Sequence, residues 1–195
     1  MRTSNRKLLL SLALASLALV VAAPIVLACV IPRTLDEQMV LAGDEVVVGK
    51  VVSIEERMAK EVNGESVLWT LVTFRAEESL VTGARDFDVH FFFRGGVRPG
   101  SPTTTITPSS EDIREDRRLL LFLALRRFGE QTFGAGVYQV DSYAEVYRVL
   151  SFKDTNGADR QVVLGKGGGF AFQDNALLAD AKTHVAQAAA KRQRK

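Results

Sequence analysis

The chain has 195 residues, 25 basic and 23 acidic, for a formal net charge of +2. Three of the basic residues and none of the acids lie in the first 28 positions, so the remainder carries 22 against 23, net −1. That balance excludes a dedicated nucleic-acid binder, which needs a basic surface to neutralise phosphates, and a single cysteine excludes a disulfide framework.

The chain opens "MRTSNRK", with Arg2, Arg6 and Lys7 unopposed by any acid, and continues with an apolar run from Leu8 to Ala23 broken only by Ser11 and Ser16. Pro24 and "IVLA" lead to Cys29. A basic start, an apolar middle and small residues at the end form an export signal over 1–28, with Val26 and Ala28 at the positions a signal peptidase reads. Cleavage there leaves Cys29 first. Three outcomes stay open: lipidation of Cys29, ordinary cleavage to a soluble exported chain, or an uncleaved anchor, since Leu8 to Ile31 is long enough to span a membrane. In each, the bulk of the protein is exported, to the periplasm or cell surface.

The 167 residues from Cys29 are one domain's worth, and a domain of this size buries roughly two-thirds of its unfolded surface. "TLDEQMVLAG" has Thr34 and Glu37 at capping-box spacing and predicts a short helix over 35–42. "DEVVVGKVVSIEE" is rich in β-branched residues and predicts a strand buried on both faces for much of its length, Val52 included, with a bulge or bend at Gly49. Asn63–Gly64 is a hairpin signal, and "SVLWTLVTFRAEE" returns as the second strand. In "DFDVHFFFRGG", Phe87, Val89, Phe91 and Phe93 alternate with Asp86, Asp88, His90 and Phe92, a strand with one buried and one wet face.

Three prolines between Pro99 and Pro108 mark a long loop, and "SSEDIREDRR" predicts a short helix starting after Ser110. "LLLFLALRRF" reads as a buried strand by composition, with a helix as the alternative on propensity alone; "GVYQVDSYAEVYRVL" and "QVVL" supply more strands, with "KDTNGAD" as the turn between. A final helix follows Asp174 or Asn175 with Leu177, Leu178, Ala181 and Val185 on one face, and a basic tail ends the chain. The predicted fold is mainly β: a small barrel of the oligonucleotide/oligosaccharide-binding (OB) kind over 29–173, with the short N-terminal helix, and a C-terminal helix and tail over 174–195. A β-sandwich is the alternative.

Candidate chemistry is sparse. Asp86, Asp88 and His90 share one strand face at steps of roughly 6.5 to 7 Å and offer two carboxylates and an imidazole to a divalent metal; the competing reading is the solvated side of a strand. Lys191, Arg192, Arg194 and Lys195 offer charge to an anionic membrane surface, or form a solvated tail. His184 reads as a surface residue. "GKGGG" lacks the spacing and the hydroxyl of a phosphate loop, and "DTNGAD" lacks the glycine and glutamate of a calcium loop. The acidic pairs Glu55–Glu56 and Glu77–Glu78 fall at strand ends. No catalytic signature or cofactor motif is present, so a non-enzymatic envelope protein that binds an unidentified protein or ligand, without nucleic acid, is the expected function. A metal-binding protein or metalloenzyme is the alternative.

"VLAC" resembles a lipobox, the site at which bacterial lipoproteins are cut and lipidated; Ala28 and Cys29 match it, whereas Leu27 and Val26 depart from the usual residues. "AGDEVVVGKVVSIEE", the strand ending "FRGG", and "RRLLLFLA" before "GAGVYQV" resemble uncharacterised exported bacterial proteins. The placement of "CVIP" before a barrel is similar to the netrin-like barrels of metalloproteinase inhibitors. That resemblance implies a third function, protease inhibition, in which the Cys29 amine and carbonyl would chelate the protease zinc. The further cysteines of those barrels are missing here.

Overall fold

The computed structural model describes residues 43–61, 63–168 and 170–192. The export signal expected over 1–28, Cys29, the helix expected over 35–42, Arg194 and Lys195 lie outside them.

Five strands close a barrel: β1 (Glu45–Lys60), β2 (Ser66–Ser79), β3 (Arg85–Arg94), β4 (Arg118–Leu125) and β5 (Tyr138–Gln139). They run in the order β1-β2-β3-β5-β4, and β4 returns to β1. The β3–β5 pairing is parallel and the others are antiparallel. A second sheet continues from β4 through β6 (Val146–Lys153), β7 (Asp159–Val163) and β8 (Ala176–Leu177). Among the described residues there are two α-helices, α1 (Arg127–Phe133) and α2 (Leu178–Arg192). The fold is thus mainly β, an OB-like closed barrel with extra strands and a C-terminal helix.

Alternation along the strands divides the apolar residues among three clusters. Inside the barrel lie Val47, Val72, Phe74, Phe91, Phe93 and Leu121 among others. The opposite faces of β1 and β4 carry Val46, Val48, Leu120 and Phe122, and with Tyr147, Val149 and Val163 they form the floor on which Leu178, Ala181 and Val185 of α2 pack. Both strands are therefore buried on two sides where they meet, and this explains their continuous apolar runs. Full burial of one such side chain is worth roughly 1.5–3 kcal/mol.

Gly49 sits where the β1–β2 register slips. A Cβ there would lie 2.0 Å from the Arg75 carbonyl oxygen, so only glycine lets the two backbones approach. Beyond Val51 the outer side of β1 leaves the floor beneath α2, and Val52 is 52% exposed rather than buried. The expected Asn63–Gly64 turn joins β1 to β2: the Glu61 amide donates to the Glu65 carbonyl at 2.8 Å, and Asn63 Oδ1 accepts from the Glu65 amide.

The long loop after β3 is fastened by one residue of β1. The Glu56 carboxylate accepts from the amides of Val97 and Arg98 and from the Ser101 hydroxyl, at 2.7, 2.8 and 2.6 Å. Burial alone would raise the Glu56 pKa. The Ser101 hydroxyl, the two amides and the Arg98 charge outweigh it and hold the carboxyl below its usual range.

Three expectations need correction. The segment after Ser110 forms turns rather than a helix, with Ser109 closing one of them: its hydroxyl donates to Asp112 Oδ2 and its carbonyl accepts from the Ile113 amide. Only Ile113 of 109–117 is buried, so no apolar stripe holds a helix against the barrel. The helix that does form, α1, was not expected. The last helix begins at Leu178, not after Asp174 or Asn175. Asn175 instead accepts from the Gly165 amide, and Ala176–Leu177 pair with β7, which leaves Leu177 40% exposed.

Candidate functional site

The outer face of β2 and β3 is divided in two. At one end α1 lies across it and forms the third apolar cluster. Trp69 of β2 and Phe92 of β3 are 6% and 0% exposed. Phe128 and Phe133 of α1 cover them, with ring centroids 5.0 Å apart for Trp69–Phe128 and 4.7 Å for Phe92–Phe133. Gly129 permits this contact, because a Cβ there would lie 2.3 Å from the Phe92 ring. The Arg57 guanidinium caps the cluster 4.8 Å from the centre of Phe133. Phe92, which alternation assigned to the wet side, is therefore core.

At the other end the same face is open. Arg75 grips Asp88 through two hydrogen bonds, at 2.6 and 3.2 Å, and Thr73 Oγ1 lies 3.4 Å from His90 Nδ1. Asp86, Asp88 and His90 are exposed on this face, as period two requires. The Asp88 carboxylate, one of the three candidate metal ligands, is paired with the Arg75 guanidinium. Among the described residues no three His, Cys, Asp or Glu side chains gather as a metal-holding group.

At the covered end, beside α1 and the β1–β2 turn, lies a cavity of about 360 Å³ lined by Glu61, Asn63, Trp69, Phe128 and Gln139. Four segments meet there: the β1–β2 turn, β2, α1 and β5. The Trp69 indole N–H is buried and finds no acceptor among the described residues, a state that costs roughly 1–3 kcal/mol. Glu61 is paired with Arg94 at 3.4 Å, so the cavity carries little net charge.

Behind the cavity a polar chain supports its wall. Gln139 Nε2 donates to Asp141 Oδ1, Arg126 Nη2 donates to Asp141 Oδ2 at 2.9 Å, and the Asp141 amide donates to Glu145 Oε2 at 2.6 Å. Burial pushes the Glu145 carboxyl up to about 7. The Asp141 charge adds to this rise, while the Asp141 and Ser142 amides and the Arg126 charge oppose it.

A larger hollow, about 530 Å³, lies beside β7 and the start of α2. Its charged side chains are already engaged: Lys182 with Glu78, Arg160 with Asp154, and Asp159 with Lys153. The remaining sequence candidates have structural work. Glu77 pairs with Arg118. Asp154 accepts from the amides of Asn156 and Ala158 and closes the β6–β7 turn. Lys166 of "GKGGG" donates to the Tyr143 carbonyl and lies 5.2 and 5.4 Å from the ring centres of Tyr143 and Tyr147. Burial and, to a lesser degree, the Arg148 charge lower its amine below the ordinary lysine value, with Asp112 opposing them. His184 and Lys191 are exposed on α2, and Arg192 is its last residue.

Sequence reasoning missed Phe128, Gln139 and Trp69 as site residues. The available signal was Trp69 itself, an aromatic at an outward position of β2. No family model matches the chain, and no curated protein matches it.

Proposed function

We propose that this chain is an exported, non-enzymatic binding protein of the cell envelope, processed at Cys29, that takes its ligand or partner along the outer face of β2 and β3. The observation that carries this reading is the aromatic-walled cavity where the β1–β2 turn meets α1. In closed barrels of this topology, that face and the loops after the first and fourth strands are the general place for a ligand, an analogy of fold. The near-neutral charge of the chain after residue 28 favours an occupant other than nucleic acid.

Trp69 is the only tryptophan, so its fluorescence reports on this face alone. The test fractionates expressing cells, weighs the intact protein from each fraction, and adds solubilised envelope extract while following that fluorescence. The expected result is a chain beginning at Cys29 in the envelope fraction and a saturable change in Trp69 emission. Full-length protein confined to the cytosol overturns the reading. So does turnover of a hydrolase substrate that one point substitution abolishes.

A second reading, netrin-like protease inhibition, is favoured by the closed barrel that begins at Glu45 downstream of "CVIP". It requires a free Cys29 amine. Inhibition that persists after an N-terminal extension excludes it.

A further inference from the structure

We propose that the hollow between residues 114–118 and β6 holds the anionic head of an amphiphile, with its acyl chain lying over Leu150, Val162 and Leu177. This hollow and the cavity beside α1 have no lining residue in common, so the two sites are independent.

The hollow arises from a turn just ahead of β4. Asp116 has a left-handed backbone, φ 61°, which Asp tolerates better than most residues. Its amide donates to the Val51 carbonyl, and the Arg117 carbonyl accepts from the Val51 amide, both at 3.0 Å. The turn is thereby pinned to β1 and stands off β6, whose last pairing with β4 is at Arg148. A space of about 220 Å³ opens between them, with Arg114, Arg117 and Arg118 on one side and Val149, Leu150 and Ser151 on the other.

These arginines carry charge that the fold does not match. Arg148 pairs with Glu111 and Asp112, and one Arg118 nitrogen pairs with Glu77. Arg114 and Arg117 have no carboxylate partner among the described residues. Glu115 and Asp116 also border the hollow, but both are exposed and neither pairs with an arginine. Arg117 Nε and Arg118 Nε and Nη1 are buried without an acceptor among the described residues. Burial first, then the Arg114 and Arg148 charges, hold the Arg117 guanidinium below its usual value, with Asp112 and Glu111 opposing them. An anion seated in the hollow relieves this repulsion. It also meets guanidinium groups whose planar fork suits a carboxylate or a phosphate.

Leu150 belongs to the wall of the hollow and begins an apolar row. The register sets Leu150 opposite Val162 and Val162 opposite Leu177, so the three side chains share one face of β6, β7 and β8. Phe152 lies on that face two residues further along β6. Leu150, Phe152 and Leu177 are 39%, 44% and 40% exposed; among the described residues, three of the eight large exposed hydrophobics thus gather on this small sheet. The row spans about 10 Å across the three strands. It offers an occupant no backbone hydrogen bonds, because β7 is paired on both sides at Val162. A peptide laid there would leave its own amides unmatched, whereas methylene groups need no partner. Unmatched positive charge at one end of an apolar row complements an anionic head on a hydrocarbon chain.

The full chain is titrated by calorimetry with laurate and dodecyl phosphate below their micelle concentrations. Acetate and inorganic phosphate supply the heads alone, and dodecyltrimethylammonium supplies the chain with a cationic head. Saturable binding of laurate, of dodecyl phosphate or of both is expected, tighter than either head alone and absent for the cationic analogue. Arg114→Gln and Arg117→Gln should each weaken it by about tenfold, as loss of one charge-assisted hydrogen bond does. Leu150→Ser combined with Leu177→Ser should bring it down toward the affinity of the head alone. Arg114, Leu150 and Leu177 are exposed, so their variants decide should Arg117→Gln lose its fold by circular dichroism. The proposal is overturned by equal binding of the cationic analogue, by affinity unchanged in the arginine or the leucine variants, or by no binding of either anionic probe. A chain that sediments with phosphatidylglycerol vesicles but binds neither probe makes this face a membrane surface. A dimer that the leucine variant dissociates assigns the face to a second copy. Either result overturns the proposal.

Discussion

Glu145 carries the clearest chemical consequence of its position. Its pKa is about 7 in the folded chain against an ordinary 4.5. The fold therefore favours the protonated acid, and this contribution is complete below the ordinary value and lost as pH rises through 7. The linked loss is about 3 kcal/mol. Thermal unfolding followed from pH 5 to pH 8 should show stability falling over this window, and Glu145→Gln should flatten the fall and raise the melting temperature at pH 8. An unchanged pH profile in that variant would remove the assignment. Gly129 makes a second, purely steric statement. Gly129→Ala sets a methyl group against the Phe92 ring, and overpacking of this kind costs roughly 1–3 kcal/mol. Lower denaturation midpoints together with a shifted Trp69 emission maximum are expected, because α1 must lift from the face it covers.

The long loop and the two helices show how single contacts decide the fate of whole segments. Glu56 collects three hydrogen bonds from the loop that follows β3. Its lowered pKa means that the folded state favours the carboxylate. That contribution is present above pH 4.5 and is lost as pH falls through the lowered value. Glu56→Ala should leave the barrel folded while making residues 97–110 a site of rapid limited proteolysis; cleavage no faster than in the unaltered chain would show that the loop is held by other contacts. In contrast, α1 has only seven residues and no side-chain cap. Its helicity depends on Phe128 and Phe133 docking against Trp69 and Phe92, consistent with the general finding that short helices are held by tertiary packing.

The molecule as a whole depends on closure. Because β4 returns to β1, the five barrel strands leave no free edge within the barrel. The faces of β1 and β4 that closure turns outward would be solvent-exposed apolar surface without α2. Val185 is fully buried at that contact. Val185→Asp places an unpaired charge there, and the expected result is loss of cooperative unfolding or aggregation, read by calorimetry and light scattering. A variant that melts like the original would mean that α2 is dispensable to the fold.

Much of this architecture was legible from local pattern. Period-two alternation in "DFDVHFFF", the β-branched run around Gly49, the Asn63–Gly64 turn and the proline-marked loop each depend on neighbours within a few residues, and each lies where the pattern placed it. The site was not legible in the same way. Phe92 was read as wet because alternation describes one sheet and knows nothing of a helix laid across its outer side. The pairing of Asp88, a candidate ligand, with Arg75 escapes local pattern because Arg75 stands 13 residues away on the neighbouring strand. The cavity needs residues from Glu61 to Gln139 brought together by barrel closure. By itself the sequence determined strands, turns and a near-neutral charge, all consequences of composition and short-range periodicity. Which face is covered, which carboxylate is occupied and where an aromatic cavity opens were decided only by tertiary structure, because those properties belong to pairs of segments that meet only when the sheet closes.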